Sequence, residues 1–200
     1  MEELSVIKKK YIDYINKIIK NNKVSHTYLI EIDDYNIDKK YIFDFIKMIL
    51  CNLEFSKLKD AKDDIISLID DGNYPDLKII EADGSTIKKS QILDLQKDYN
   101  NKSLLDGKRI YVIKDADKLN LASANTMLKF LEEPEENIIA ILITTNRYRV
   151  IDTILSRCQI LTLKENSMPL IEDDSIYDLL KCVIEPHTYF MSYKSIITFC

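Results

Sequence analysis

Glycine is scarce in this chain, with three residues in 200, Gly72, Gly84 and Gly107. The loops that close backbone N–H groups around a phosphate need glycines at fixed spacing, so scarcity on this scale restricts where such a loop could be built. Internal repeats and low-complexity tracts are also lacking. Cys51, Cys158, Cys182 and Cys200 include no CxxC pair, and His26 and His187 are the only imidazoles. Neither a zinc site nor a disulfide framework is expected from such a set. No apolar run is long enough to cross a bilayer, and the start lacks the pattern of a signal peptide, so a cytoplasmic location without membrane contact is expected. An excess of positive charge is also lacking. The formal net charge of -5 argues against neutralisation of a long stretch of nucleic acid, and any such contact should be local or shared with partners.

What remains is an ordinary globular composition, 46% hydrophobic and 30% charged, in a length that suits one domain with at most a small appendage. From Leu4 to Lys20, Val6, Ile7, Ile12, Ile15, Ile18 and Ile19 fall mostly at helical spacing, and Asn21 and Asn22 end the pattern. Lys8, Lys9 and Lys10 within it are read as a solvated helix face. Five short β-rich runs follow: Thr27 to Ile32, Leu77 to Glu81, Arg109 to Ile113, Ile138 to Thr144 and Gln159 to Leu163. Each is nearly continuous rather than alternating, as strands buried on both faces of a parallel sheet are. Helices are expected between them at Lys39 to Leu50, Ser56 to Ile69, Thr86 to Tyr99 and Asn120 to Glu133, with a short turn at Val150 to Leu155. Asn120 suits an N-cap, Ala124, Met127, Leu128 and Leu131 form one stripe, and Pro134 stops propagation. The three glycines lie in connections, where a positive φ is expected. After Leu163 the chain turns polar, and a soft boundary is placed there.

Ligands of an open parallel sheet sit beyond the carboxyl ends of its strands. After the first run, the phosphate-loop pattern G-x-x-x-x-G-K-[ST] would place its glycines on Ile32 and Ile37 and its lysine on Asp38. Shifting by one brings Lys39 into the lysine position but adds no glycine. Asp33, Asp34 and Asp38 would repel a polyanion, Tyr35 and Asn36 fill the space between, and a β-carbon at a positive φ would add strain. A helix-capping turn is the reading these residues favour. The third run leads into "IYVIKDADKLN", where the aspartate that holds Mg²⁺ in an ATPase is replaced by Lys114, with Asp115 one place further on. The fourth leads into "ITTNRYRVIDTILSRCQ", with Arg147, Arg149 and Arg157. Singly, each is a surface charge, but Arg157 stands between an apolar turn and a buried strand, which fixes its backbone while its fork points outward.

Several of these segments together are specific: "SHTYL" before the first strand, "GNYPDL" at 72–77, "QILDL" at 91–95, "DADKLNLASANTMLKFLEEPEEN" at 115–137 and "DTILSRCQ" at 152–159. The chain resembles the clamp-loader subunits of bacterial DNA polymerase III, a family of the AAA+ class, and within it the delta-prime members, over roughly residues 25 to 163. The resemblance implies an α/β core with a five-stranded parallel sheet in the order 5-1-4-3-2, spanning residues 1–163. Residues 164–200 would be a tail or the start of a helical lid, without the family's collar domain. It implies that Arg157 of the Ser156-Arg157-Cys158 triplet acts as an arginine finger in trans on a neighbour's nucleotide. Ser156 braces the turn, and Cys158 is a small buried residue rather than a reactive thiol. Delta-prime members commonly carry an eroded phosphate loop, so no cofactor and no intrinsic ATPase activity are expected.

The implied partners are an ATP-hydrolysing subunit of the gamma/tau type and the delta subunit, with the sliding clamp and primed DNA reached through the complex. Two departures stand out. Many relatives insert a four-cysteine zinc module after the first helix, whereas here only Cys51 is near and 52–71 contains no further cysteine. The chain also stops at Cys200, with room for at most part of the lid. Two other readings compete: an active ATPase that binds nucleotide through Lys39 or Lys40 in an unusual geometry, and an AAA+-derived adaptor outside the clamp loader.

Overall fold

In the computed structural model, residues 5–58, 64–71, 73–99, 107–133 and 137–165 are described. The expected tail or lid therefore lies, from residue 166 on, outside the described residues. Helix α1 (Val6–Lys20) leads into strand β1 (Thr27–Glu31) and helix α2 (Tyr35–Cys51). The short helices α3 (Phe55–Leu58) and α4 (Asp64–Asp70) come next, covering parts of the single helix expected over 56–69. Then follow β2 (Leu77–Ile80), α5 (Lys89–Tyr99), β3 (Arg109–Ile113), α6 (Leu121–Glu132), β4 (Ile138–Thr144), α7 (Asp152–Leu155) and β5 (Gln159–Thr162). Short 3-10 turns stand at Ala116–Lys118 and Arg147–Arg149.

The sheet is parallel throughout, with the order β2-β3-β4-β1-β5, which is the expected order 5-1-4-3-2 read from the other edge. Strands β1 and β4 are buried along their whole length because they lie inside the sheet and are covered on both faces. On one face Tyr28, Ile30, Ile139, Ile141 and Ile143 pack with α1 and α2. On the other, Leu29, Tyr111, Ile113, Ala140 and Leu142 pack with α5, α6 and Ile154 of α7. Strand β2 departs from the expected two-sided burial. It is one of the two edge strands, and Lys78 and Ile79 are exposed there.

The helix ends follow local chemistry. Ser5 caps α1 and Asn120 caps α6, its side chain accepting from Ser123 N at 2.9 Å. The shortage of glycine is met by asparagine. Asn22, Asn52 and Asn137 adopt φ values of 51°, 51° and 68°, and among the glycines Gly84 has a positive φ, 73°. Asparagine tolerates this left-handed region better than other side chains do. Gly72 lies outside the described residues.

Candidate functional site

The turn after β1 is shorter than the sequence implies. Helix α2 begins at Tyr35 rather than near Lys39, so the connection is only Ile32, Asp33 and Asp34, and Tyr35 to Lys39 form the opening of the helix. The expected strain is absent, since no residue of this turn has a positive φ. The acidic side chains bind the turn's own backbone. Asp34 Oδ1 accepts from Asn36 N at 2.7 Å and Ile37 N at 3.4 Å, and Asp38 Oδ2 accepts from Asp33 N at 3.2 Å. Asp33 Oδ2 in turn accepts from Glu165 N at 2.8 Å, tying the turn to the segment after β5. The amides of Asn36 and Ile37 are donors that a phosphate would use at a helix N-terminus. Here a carboxylate of the same chain occupies them.

Lys8 is a correction to the reading of Lys8–Lys10 as a solvated face. Lys9 and Lys10 are exposed, but the Lys8 side chain is largely covered, 3.6 Å from Asp38 and 3.5 Å from Glu165, with its ammonium over the Tyr41 ring. Burial alone would weaken its charge, but Asp38, Tyr41 and Glu165 outweigh this and hold its pKa above the ordinary lysine value. Asp38 is buried, so Lys8 replaces solvent as the partner of its charge.

Across the carboxyl edge, Lys114 follows β3 and donates to Glu81 Oε1 at 2.6 Å while lying 4.0 Å from the centroid of the Tyr35 ring. Its pKa is also raised: desolvation opposes the charge, and the hydrogen bond to Glu81, with Tyr35 and Asp115 nearby, prevails. A protonated lysine thus fills the position where a metal-binding carboxylate would stand. Asp115 pairs with Lys118 at 3.1 Å. The cleft bounded by Ile32, Tyr35, Asn36, Glu81, Lys114, Thr144 and Thr145 encloses about 240 Å³. Small-molecule sites usually enclose roughly 300–1,000 Å³.

Two carboxylates with roles at this edge were not singled out from the sequence. Glu31, at the tip of β1, is buried and accepts from Arg147 N at 3.2 Å, with Arg147 Nε 3.7 Å from its other oxygen. Arg147 is therefore a structural partner of a buried acid rather than a free surface charge. Asp117 accepts from Thr144 Oγ1 at 3.0 Å, with Arg149 4.0 Å away and largely exposed. The available signal was an acid closing the apolar run "TYLIE".

Arg157 lies elsewhere. It stands two residues before β5, whose Gln159 is level with Tyr28 near the start of β1, so it belongs to the amino edge of the sheet. Roughly 15 Å of strand separates that edge from the turn at Asp33. Its backbone is fixed by the bond from Arg157 N to Ile154 O at 3.0 Å. Nη1 donates to Thr153 O at 2.8 Å and Ser156 Oγ at 3.3 Å, and Nη2 donates to Glu132 Oε1 at 2.6 Å. Ser156 Oγ donates to Thr153 O at 3.2 Å. Burial pushes the Cys158 thiol up to about 12, and it donates to Ile154 O at 3.2 Å. Sequence reasoning quoted Glu132 within a motif but assigned it no contact.

The parallel sheet in this order, with helices on both faces, defines an α/β core of AAA+ type. The chain belongs to the family described as DNA polymerase III, delta subunit, whose model matches residues 7–167. It is 32% identical to the DNA polymerase III subunit delta' of Bacillus subtilis over 191 residues, covering 93% of this chain and 55% of that protein. Among solved structures, it resembles a DNA polymerase III gamma subunit-related protein of Thermotoga maritima with a TM-score of 0.58 at 19% identity, covering 86% of this chain and 49% of that one. The RuvB Holliday junction branch migration motor of the same organism follows, with a TM-score of 0.51 at 12% identity and coverage of 81% and 45%. Both structures support the fold alone. The chain spans about half the length of these relatives.

Proposed function

We propose that this chain is a non-hydrolysing subunit of a cytoplasmic DNA polymerase III clamp loader. It binds no nucleotide of its own and supplies Arg157 in trans to the nucleotide of an adjoining gamma/tau-type subunit. In that complex it would act beside the delta subunit while the sliding clamp is loaded on primed DNA. The observation that carries this reading is the separation of the two sites. The turn after β1 and Lys114 stand at the carboxyl edge of the sheet, whereas Arg157 stands at the amino edge and is too far away to serve its own turn. An arginine fixed there can reach a nucleotide only on another subunit.

The chain's own turn supports the other half of the reading, because its amides and the metal position are filled by Asp34, Asp38 and Lys114. A planar guanidinium bridges two oxygens of a transferring phosphoryl group and offsets its developing charge, which a lysine does only as a point charge. In a loader reconstituted with this chain, Arg157→Ala and Arg157→Lys should both slow DNA- and clamp-stimulated ATP hydrolysis. The loss should be smaller than the ~10³–10⁵ seen for a sole finger in GTPases, because the ring holds other active sites. Arg149→Ala is the control for general loss of charge, since Arg149 is largely exposed. Arg147→Ala is unsuitable, because it would strand the buried Glu31. An unchanged rate with Arg157→Ala in an assembled complex would overturn the role of the finger.

A further inference from the structure

Arg157 is held by its own chain in two chemically different ways. Its Nη1 binds neutral acceptors, Thr153 O at 2.8 Å and Ser156 Oγ at 3.3 Å, while its Nη2 binds a charged one, Glu132 Oε1 at 2.6 Å. Glu132 is the last residue of α6, which returns the chain from the carboxyl edge of β3 to the amino edge of β4. The carboxylate is thus delivered by one helix to an arginine carried by the next connection. We propose that Glu132 is the resident counter-ion of Arg157, and that Arg157 exchanges it for a phosphoryl oxygen when the adjoining subunit holds a nucleoside triphosphate. This rests on the reading of Arg157 as a residue that acts in trans.

Electrostatics requires the exchange. A guanidinium hydrogen-bonded to a carboxylate has its charge largely cancelled, and a carboxylate left at 2.6 Å from it would lie beside the polyanion it approaches. The contact therefore opens when Arg157 engages. It is also weak enough to open, because the two side chains are 36% and 49% exposed and exposed ion pairs contribute little. The neutral contacts of Nη1 stay in place during the exchange, so one nitrogen keeps the fork oriented while the other changes partner. The charge of the finger then becomes available only where a phosphoryl group competes for it. Hydrolysis in the neighbour is restrained when the two subunits are not closely engaged.

The test uses the assembled loader with the full chain, its ATP hydrolysis measured with and without primed DNA and clamp. Glu132→Gln keeps the shape and an acceptor oxygen but removes the charge. The unstimulated rate should rise by about two- to fivefold, the factor that the strength of an exposed pair corresponds to, while the stimulated rate changes little. Combined with Arg157→Ala, the substitution should have no effect of its own. In the isolated chain, ¹⁵N NMR should show the Arg157 guanidinium rotating more freely in Glu132→Gln than in wild type. If Arg157→Ala slows hydrolysis but Glu132→Gln leaves the unstimulated rate unchanged or lowers it, the exchange is overturned and the finger stands. If Arg157→Ala has no effect, both fall. Equal guanidinium mobility in the two chains would show that Glu132 does not restrain Arg157, and would also overturn the exchange.

Discussion

Asp34 and Asp38 show what acidic side chains do at a short strand-to-helix turn. Asp34 caps α2, and Asp38 reaches back to Asp33 N while pairing with Lys8. Their residue types suit the turn itself, because Asp34 satisfies amides that the helix leaves without partners and Asp38 holds the amide of Asp33 just before it. Asp34→Ala should therefore destabilise the protein by about 1 kcal/mol, the usual cost of losing an aspartate N-cap, as measured by urea unfolding. A neutral effect would mean that the amides of Asn36 and Ile37 are satisfied without the carboxylate. The lack of glycine in this turn was legible in the sequence. The bonds made by the aspartates were not, because they depend on where α2 begins, and intrinsic helix propensity is too weak to place that start to within a residue.

At the scale of elements, α1 and α2 cover one face of the sheet through an aromatic contact that sequence periodicity could not specify. Phe45 of α2 is fully buried, with its ring edge-on to Tyr28 of β1 at 5.0 Å and to Tyr11 of α1 at 6.3 Å. One side chain thus joins a strand and two helices. Phe45→Ala should cost roughly 3–5 kcal/mol in denaturant unfolding, because it removes a large buried ring and leaves a cavity between three elements. A loss below about 1 kcal/mol would show that the site collapses freely. On the opposite face, Arg109 Nη1 and Nη2 donate to Tyr99 O and Asp98 O at the end of α5, and its Nε lies 3.2 Å from Asp76. Helix α5 is fastened to the edge of the sheet by a cation at its C-terminus, where the helix dipole favours one.

For the whole molecule, the arrangement of charge matters more than its sum. The net charge of -5 is spread over many local pairs, and the carboxyl edge of the sheet carries a protonated Lys114 locked to Glu81 rather than a free metal-binding acid. ATP with Mg²⁺ should accordingly leave the Tm of the purified chain unchanged. A ligand that binds the native state at 100 times its Kd would stabilise it by about 2.7 kcal/mol, which a thermal-shift titration would register as several degrees. Such a rise, abolished by Lys39→Ala, would restore the reading of an active nucleotide site.

The amino-acid sequence by itself determined the alternation of helices and strands, the parallel sheet and the absence of a glycine-bearing phosphate loop. These depend on the periodicity and type of neighbouring residues, and continuous apolar runs between amphipathic segments admit few other arrangements. Tertiary structure alone decided the partnerships of the charged side chains: Lys8 with Asp38, Lys114 with Glu81 and Tyr35, Arg147 with Glu31 and Arg157 with Glu132. All of these pairs join residues 25 or more positions apart, so no local pattern records them. Only the folding of the sheet, with its crossovers returning each helix to the opposite edge, brings those charges within a few ångströms of one another.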